Sequence, residues 1–478
     1  MDKRESRVHR STTTAAAVLA AALTAVVTFS GAPEAEAATG CRVDYRVTDE
    51  WQGGFIASVD VTNLGDAVTG WQLTWSYGGG QAVTQIWNGT VRQSGAQVAV
   101  DNVSYNGSLG TGATAGFGFV ANGPTTPVPA SFALNGTTCT GSAPAPDVLA
   151  QAHTAGRVTK SGQYSWPGIY FEGRFRGTGV GIALNDSVNE FDVQIDGRTV
   201  ATLLKPGRTT HWVNNLSNAE HTVRLVKRTE SPWTTAGEFG GFVAVSGGEI
   251  LTKPAARTRQ IEFIGDSLTA GYGNLSTTRD CSANGGVDRN TNTDLSFGAL
   301  TARSLNADYQ VNAFSGRGMV RNYNGGQAGT SYRTYYDRAL LNVDGDVWQN
   351  PGTWRPQLVV VGLGTNDFST ALNPGEQWPT QQSLVTAYKA AYQEFLNKLR
   401  TRYGSGTTIL VGVPQASGTF ADAARQVVEE RGDSRIRYWN FGDLALDMVG
   451  CDWHFSQRDH QLISGRLGNV IAGLNLAW

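Results

Sequence analysis

From about residue 258 onwards, short apolar runs alternate with longer segments of helical periodicity. Residues 261–264 (Ile-Glu-Phe-Ile), 358–363 (Leu-Val-Val-Val-Gly-Leu) and 409–413 (Ile-Leu-Val-Gly-Val) are typical of buried strands. Between residues 382 and 403, apolar side chains recur near 3.6-residue spacing, which predicts an amphipathic helix. Strands that alternate with helices in this way predict a parallel sheet with helices on both faces.

Two stretches further upstream have strand patterns without helical periodicity. Residues 41–139 contain short strands, such as 54–61 and 116–120, separated by Gly, Asn and Thr turns, which predicts a β-sandwich. Residues from about 148 to 250 again predict strands, at 180–184, 191–197 and 221–226, and Asp196-Gly197 is typical of a hairpin turn. A short Pro/Ala/Ser linker at residues 141–147 separates the two stretches.

With 478 residues, the chain is long enough for about three domains. Its net charge of -2 provides no basic surface for nucleic acid. Basic residues precede an Ala-rich apolar stretch from about residue 15 to 29, and small residues flank a candidate cleavage site before Ala38. This pattern predicts a secretory signal peptide over residues 1–37. A membrane anchor is the weaker alternative because a spanning helix needs ~20 apolar residues. A lipid-modified Cys41 is the other alternative.

The four cysteines of an exported chain predict two disulfides. Cys41 and Cys139 bracket the first β-rich stretch, so we expect them to pair. Cys281 and Cys451 then remain, and their bridge would tie the loop after Ser267 to the segment that carries His454. The spacing of the cysteines and histidines does not fit a zinc site, so no metal is expected.

Three short motifs carry the candidate chemistry. Residues 265–268 read Gly-Asp-Ser-Leu after one apolar run, residues 364–367 read Gly-Thr-Asn-Asp after another, and residues 452–454 read Asp-Trp-His. The carboxyl ends of parallel strands meet at one edge of the sheet, where α/β proteins place their sites. A serine hydroxyl needs a base to remove its proton, and the tetrahedral oxyanion needs donors. The motifs therefore predict acyl transfer with Ser267 as nucleophile, Asn366 as oxyanion donor and His454 as base.

The group that orients the His454 ring is left open by the sequence. In an extended segment, residues i and i+2 point to the same side, so Asp452 needs a bend to reach the ring of His454. The acceptor for the second ring nitrogen is either Asp452, which completes a triad, or a backbone carbonyl, which leaves a Ser–His dyad. Asp266 is expected to hydrogen-bond its own turn, and His460 is expected to be a structural neighbour of the site.

Taken together, the three motifs resemble those of the GDSL or SGNH hydrolases. In that superfamily the serine of the Gly-Asp-Ser motif is the nucleophile, and a glycine amide after the second strand and the motif asparagine complete the oxyanion hole. Residues 311–318 (Val-Asn-Ala-Phe-Ser-Gly-Arg-Gly) match the second-strand segment. The resemblance therefore implies an oxyanion hole of Ser267, Gly316 and Asn366, with Gly318 as the alternative to Gly316.

The spacing of the last motif narrows the resemblance. Most SGNH enzymes have D-x-x-H, whereas this chain has D-x-H after a β-rich domain, which is similar to carbohydrate esterase family two, the acetylxylan esterases. The resemblance covers residues from about 145 to 478, although the family usually has Pro where this chain has Phe455. It implies a jelly-roll middle domain. Trp453 is the better candidate to stack on a sugar and Tyr323 the weaker one.

Residues 41–139 resemble a family two carbohydrate-binding module, in which exposed aromatic rings stack on cellulose. The matching positions are Trp51, Trp87 and Tyr105, the last of which is more usually Trp, so another glycan such as xylan stays open as the ligand. A rigid aromatic ring covers the apolar face of a pyranose at little entropic cost. The alternating segment 71–75 places Trp71 and Trp75 in the core instead.

These observations predict a multidomain chain. Its predicted parts are a signal peptide at 1–37, a β-sandwich binding module at 38–140, a linker at 141–147, a β-sandwich (jelly-roll) domain at 148–255 and an α/β three-layer SGNH hydrolase at 256–478. Within the middle domain, Trp166 and Tyr170 either belong to the core, which we favour, or border a glycan cleft.

The predicted function is a secreted, extracellular serine esterase that removes acetyl groups from xylan or glucomannan through an acetyl-enzyme. The predicted partners are that polysaccharide and cellulose, without nucleic acid or membrane, and the chain is expected to be a monomer that needs no cofactor. The alternatives are an SGNH esterase or lipase with another substrate, and an inactive glycan-binding protein.

Overall fold

The computed structural model describes residues 40–139 and 148–478. The predicted signal peptide and linker therefore lie outside the described residues. Within the described ranges, no helix is both long and apolar enough to cross a membrane. The predicted fold class is confirmed, because two antiparallel β-rich parts precede a part that is built on a parallel sheet.

The first part is a sandwich of two antiparallel sheets. Its strands are β1 (Cys41–Trp51), β2 (Gly54–Asn63), β3 (Gln72–Ser76), β4 (Ala82–Trp87), β5 (Thr90–Ser94), β6 (Gln97–Asp101), β7 (Thr114–Asn122), β8 (Phe132–Leu134) and β9 (Thr137–Thr138). The sheet orders are β1-β2-β7-β4 and β5-β6-β3-β8-β9. Trp71 and Trp75 are buried between the sheets as predicted, and Cys41 is bonded to Cys139.

The second part is another two-sheet β-sandwich. Its elements are α1 (Val148–Gln151), β10 (Gln163–Tyr164), β11 (Tyr170–Gly177), β12 (Val180–Asp186), β13 (Glu190–Ile195), β14 (Arg198–Leu204), β15 (Gly207–Val213), β16 (Ala219–Lys227), β17 (Gly237–Ala244) and β18 (Glu249–Leu251). The sheet orders are β10-β17-β12-β15 and β14-β13-β16-β11-β18. Asp196 and Gly197 both have positive φ and connect β13 to β14, as the Asp-Gly pair predicts.

The third part has a five-stranded sheet in which every strand pair is parallel. Its strands are β19 (Arg259–Gly265), β20 (Ala307–Ala313), β21 (Leu358–Gly362), β22 (Thr408–Val413) and β23 (Ile436–Asn440). Its helices are α2 (Ser267–Ala270), α3 (Gly286–Arg289), α4 (Phe297–Ser304), α5 (Tyr332–Tyr335), α6 (Thr365–Phe368), α7 (Gln381–Tyr403), α8 (Thr419–Arg431) and α9 (Gln457–Ala472). Helix α7 begins one residue before its predicted start because the Thr380 side chain accepts a hydrogen bond from Ser383 N–H and caps it.

Helices cover both faces of this sheet, as predicted. Side chains of a strand alternate between the two faces, and Val359 and Val361 of β21 share one apolar core with α7 and α8. Leu358 and Val360 share the opposite core with α4 and α9. Burial on both faces explains why the strands of the parallel sheet are continuous apolar runs rather than alternating ones.

The middle part and the hydrolase part share a hydrophobic core, so they form one packed unit. Arg157 and Glu262 make an ion pair of 3.0 Å across this contact, and both side chains are fully buried. Trp166 is also fully buried, and its indole N–H donates to the Arg338 carbonyl oxygen at 2.9 Å. Tyr170 is buried as well, so the core assignment of both aromatic residues is confirmed.

Candidate active site and glycan-binding face

The strand order of the parallel sheet brings three of the predicted residues to one edge. The order is β20-β19-β21-β22-β23, so the first strand in sequence lies between the second and the third. This is a topological switch point, where the connections leave in opposite directions and open a crevice at the carboxyl ends of the strands. Ser267 follows β19, Gly316 follows β20 and Asn366 follows β21.

Ser267 and His454 are in direct contact across 187 residues of chain. The Ser267 Oγ atom is 2.8 Å from Nε2 of His454. The other ring nitrogen, Nδ1, lies 2.9 Å from the carbonyl oxygen of Cys451 and 3.2 Å from that of Asp452. Because carbonyl oxygens only accept hydrogen bonds, Nδ1 is the protonated nitrogen, and Nε2 is free to accept the serine hydrogen.

The observed acceptors for the His454 ring are backbone carbonyl oxygens rather than the Asp452 carboxylate, and a catalytic role of Asp452 stays a prediction. Asp452 Oδ2 accepts instead from the hydroxyl of Tyr272 at 2.9 Å. The chain turns tightly here, because Asp452 and Trp453 both have positive φ, of 53° and 65°. The turn brings carbonyl groups rather than the carboxylate towards the ring, and the arrangement is a Ser–His dyad.

A disulfide and a glycine hold the histidine segment against the serine loop. Cys281 is bonded to Cys451, as predicted. The Cys451 N–H also donates to the carbonyl oxygen of Gly273 at 3.2 Å. A Cβ atom on Gly273 would lie 2.6 Å from the Cys451 Sγ atom, so only glycine permits this approach. The segment that carries His454 is therefore fixed next to the segment that follows Ser267.

Two backbone amides at this edge are available as hydrogen-bond donors. Within the described part of the chain, the N–H groups of Ser267 and Gly316 donate to no protein acceptor. The amide of Gly318, the alternative donor, points to the Asn322 Oδ1 atom at 3.3 Å, which leaves Gly316 as the better candidate. Gly316 has a φ of 75°, a backbone conformation that glycine adopts without strain.

Asn366 lies next to these amides, but its side chain is already engaged. Its Nδ2 atom donates to Asp266 Oδ2 at 3.1 Å and to the Arg317 carbonyl oxygen at 3.0 Å. Asp266 also accepts from the Leu268 N–H at 3.1 Å, so it hydrogen-bonds its own turn as expected. Burial, together with the nearby Asp367 and Glu230 carboxylates, raises the pKa of Asp266 to about 7.

The ring of His454 is half-buried. Tyr272 lies against it with ring centroids 4.3 Å apart. Burial lowers the pKa of His454, whereas the hydrogen bonds from Nδ1 to the two carbonyls oppose this shift. His460 is buried nearby, and its Nδ1 atom accepts from the Phe297 N–H at 3.0 Å, so it is a structural neighbour as expected.

Both aromatic candidates for sugar contact are exposed near the dyad. Trp453 directly precedes His454, and the Arg279 guanidinium lies 3.4 Å from the centroid of its ring. Tyr323 donates its N–H to the Gly316 carbonyl oxygen at 2.9 Å, which ties it to the loop of the second strand. Their contact with substrate stays a prediction.

The three predicted cellulose-binding residues of the first part are exposed, at 48% for Trp51, 45% for Trp87 and 73% for Tyr105. The two indole rings lie close against glycines of the neighbouring strands. A Cβ atom would come within 2.8 Å of the Trp51 ring at Gly54, and within 2.2 Å of the Trp87 ring at Gly118. The absence of these side chains lets each ring pack on the sheet while the residue stays about half exposed.

Three further residues shape the site, although they are not among the site residues predicted from the sequence. Asp367 accepts the N–H groups of Met319, Val320 and Arg321 at 2.8, 2.8 and 2.9 Å, and so holds the end of the loop that follows β20. Tyr272 contacts His454, and Glu230 contacts Ser315. The position of Asp367 directly after Asn366 in a motif is a signal of its role, whereas Tyr272 and Glu230 carry none.

Comparison with known proteins agrees with this architecture. Residues 41–139 match the cellulose binding domain family, residues 154–254 the carbohydrate esterase 2 N-terminal family and residues 261–467 the GDSL-like lipase/acylhydrolase family. An acetylxylan esterase / glucomannan deacetylase of Cellvibrio japonicus is 40% identical over 305 residues, which are 64% of this chain and 83% of that protein.

Two solved structures are similar over both the middle and the hydrolase parts. One is a carbohydrate esterase whose active site has divergent catalytic and non-catalytic binding functions, with 36% identity and a TM-score of 0.62 over 68% of this chain and 98% of that one. The other is a family two carbohydrate esterase from Clostridium thermocellum in complex with cellohexaose, with 30% identity and a TM-score of 0.59 over 67% and 98%. The chain therefore belongs to carbohydrate esterase family two, and it is a carboxylic ester hydrolase with an N-terminal cellulose-binding domain.

Proposed function

We propose that this protein is an exported esterase that removes O-acetyl groups from plant cell-wall polysaccharide, either acetylxylan or acetylglucomannan. The observation that carries the proposal is the 2.8 Å contact between Ser267 Oγ and His454 Nε2, beside two backbone amides that have no acceptor among the described residues. The substrate class is supported by the activity named for the Cellvibrio japonicus relative and by the cellulose-binding domain. Export is supported by the sequence of residues 1–37 and by two disulfides.

The reaction begins when Ser267 Oγ attacks the acetyl carbonyl carbon and His454 Nε2 takes the serine proton. The amides of Ser267 and Gly316 donate to the oxyanion as it forms. When the tetrahedral intermediate collapses, His454 gives the proton to the sugar oxygen, which leaves as an alcohol, and an acetyl-enzyme remains. His454 then removes a proton from water, whose oxygen attacks the acetyl carbon, and the second collapse returns the proton to Ser267 and releases acetate.

Two properties of His454 suit this role. Burial lowers its pKa, so the ring is neutral at neutral pH and able to accept a proton. The bonds from Nδ1 to the carbonyls of Cys451 and Asp452 fix the tautomer, and they stabilise the imidazolium when Nε2 becomes protonated. No metal or other cofactor enters these steps.

The third oxyanion donor, Asn366, requires a rearrangement before it acts. Both hydrogens of its Nδ2 atom are used by Asp266 and by the Arg317 carbonyl oxygen. For Asn366 to donate to the substrate, one of these bonds must open or be shared. Catalytic hydrogen bonds of a free enzyme are often imperfect and tighten only when the substrate binds.

Hydrolysis rates for 4-nitrophenyl esters of increasing acyl length distinguish this proposal from a lipase. We expect kcat/KM to be highest for the acetate and to fall steeply for the butyrate and the octanoate. The acetyl group of the proposed substrate needs little space beside Ser267, and its binding energy comes from the polysaccharide. A higher kcat/KM for the octanoate than for the acetate would contradict the proposal and favour a lipid ester as substrate.

We also propose that Trp51, Trp87 and Tyr105 bind cellulose. Replacement of Trp51 or Trp87 by alanine is expected to weaken binding to microcrystalline cellulose by at least ~10-fold, because each change removes an exposed aromatic contact surface. Trp212→Ala is the matched control, since Trp212 is a similarly exposed tryptophan of the middle part. Depletion from solution by cellulose measures the binding. Unchanged binding of the Trp51 and Trp87 variants, or equal loss in the Trp212 variant, would contradict the assignment.

A further inference from the structure

A carboxylate of the middle part reaches the loop that carries the proposed oxyanion donor. Glu230 lies in the connection between β16 and β17. Its Oε1 atom accepts the Ser315 N–H at 2.8 Å, and its Oε2 atom accepts the Ser315 hydroxyl hydrogen. Both oxygens of a side chain from one domain are thus bound to a single residue of another domain, 85 positions away in the chain.

Ser315 directly precedes Gly316, and this makes its orientation important. The Gly316 N–H belongs to the peptide unit that starts at the Ser315 carbonyl carbon, so the direction of that N–H depends on how Ser315 is held. Glycine itself restricts its backbone least of all residues, and a Cβ atom at position 316 would meet nothing within 4 Å. The alignment of the amide must therefore come from anchors on either side of Gly316.

Such anchors exist on both sides. After Gly316, the Tyr323 N–H donates to its carbonyl oxygen, and Asp367 holds the three amides of residues 319–321. Before it, the Phe314 N–H donates to the Gly265 carbonyl oxygen at 3.0 Å. Within the described residues, the only acceptor for the Ser315 N–H is Glu230.

We propose that Glu230 is a positioning residue of the esterase reaction, through which the middle domain completes the oxyanion hole of the hydrolase domain. The inference rests on the proposed function, because it concerns the donor that stabilises the acetyl-transfer oxyanion. Glu230 acts through its geometry rather than its charge, since a negative charge near the oxyanion would oppose the charge that develops there. A neutral acceptor of the same shape should therefore serve equally well.

The test compares Glu230→Ala and Glu230→Gln with Glu172→Ala, using 4-nitrophenyl acetate as substrate. Glu172 is the matched control because it also contacts the hydrolase part, through Arg257 at 2.9 Å. Arg257 in turn donates to Asp308 at the start of β20. This is the amino-terminal end of the parallel strands, whereas the dyad lies at their carboxyl ends. Thermal unfolding of each variant is measured in parallel.

We expect Glu230→Ala to lower kcat by roughly 10- to 100-fold with KM nearly unchanged, since an oxyanion donor acts mainly in the transition state. Glu230→Gln should keep kcat within about 3-fold, because the amide oxygen still accepts the Ser315 N–H. Glu172→Ala should leave kcat unchanged. If Glu230→Ala does not fold, Ser315→Ala removes one of the two bonds, and a smaller fall in kcat is expected.

Three results would overturn the inference while leaving the esterase activity established. They are an unchanged kcat in Glu230→Ala, an equal loss in Glu230→Gln, and an equal loss in Glu172→Ala, which would assign the effect to domain packing. An inactive wild-type protein would instead overturn the proposed function, and the inference with it.

Discussion

Replacement of His454 by alanine is expected to lower kcat for acetyl-ester hydrolysis by roughly 10⁴- to 10⁶-fold, because the Ser267 hydroxyl loses its base. Asp452→Asn is expected to cost less than about 10-fold, whereas loss of an aspartate that orients a catalytic histidine costs about 10⁴-fold. The difference follows from the acceptors of Nδ1, which are the carbonyl oxygens of Cys451 and Asp452. Steady-state kinetics with 4-nitrophenyl acetate measures both effects.

Asparagine is the appropriate replacement at position 452 because of the local backbone. Asp452 has a φ of 53°, and asparagine tolerates this left-handed conformation, whereas alanine would add strain. Tyr272→Phe is a useful companion, since it removes the hydrogen bond to the Asp452 carboxylate and keeps the ring that packs on His454. A loss of 10³-fold or more in Asp452→Asn would mean that the carboxylate orients the histidine during catalysis.

Removal of the Cys281–Cys451 bridge is expected to have the second large effect. The bridge closes a segment with a sequence separation of 170, for which chain entropy predicts up to about 5 kcal/mol of stabilisation. It also holds the turn before His454 against the loop after Ser267, and a misplacement of about 1 Å in a catalytic group lowers the rate by roughly 10²-fold. The double variant Cys281→Ser/Cys451→Ser should therefore show a lower urea midpoint and a lower kcat.

The other disulfide provides the control for this experiment. Cys41 and Cys139 enclose the first sandwich, with a sequence separation of 98, and both belong to the core of that sandwich. Cys41→Ser/Cys139→Ser is expected to impair cellulose binding and leave kcat for a soluble ester unchanged. If the Cys281/Cys451 variant kept the wild-type kcat, the bridge would not be needed to hold Ser267 and His454 together.

The general architecture could be predicted from the sequence because it depends on local patterns. Apolar runs at residues 358–363 and 409–413 identified parallel strands, since burial on both faces leaves no polar alternation. The positions of Ser267 and Asn366 followed from the same patterns, whereas His454 was identified by its motif at residues 452–454. Ser267 and Asn366 come directly after strands, and the carboxyl ends of parallel strands meet at one edge whatever the intervening sequence.

The remaining features depend on backbone turns and on distant contacts that local patterns do not encode. The sequence left open which group accepts the hydrogen bond from the His454 ring. Asp452 and Trp453 are consecutive residues with positive φ, and the turn that they form is not predictable from their side chains. Glu230 and Ser315 are 85 residues apart, and Tyr272 and Asp452 are 180 residues apart. Such pairs are recognised only in the folded chain.

Acetate release from acetylated xylan by the wild-type protein and by Ser267→Ala tests the central claim most directly. Release by the wild type, with no detectable release by the variant, is the predicted result and would establish the substrate class and the nucleophile together. No release by either protein would contradict the xylan substrate and direct the search to other acetylated glycans. Equal release by both would contradict the role of Ser267 and the mechanism built on it.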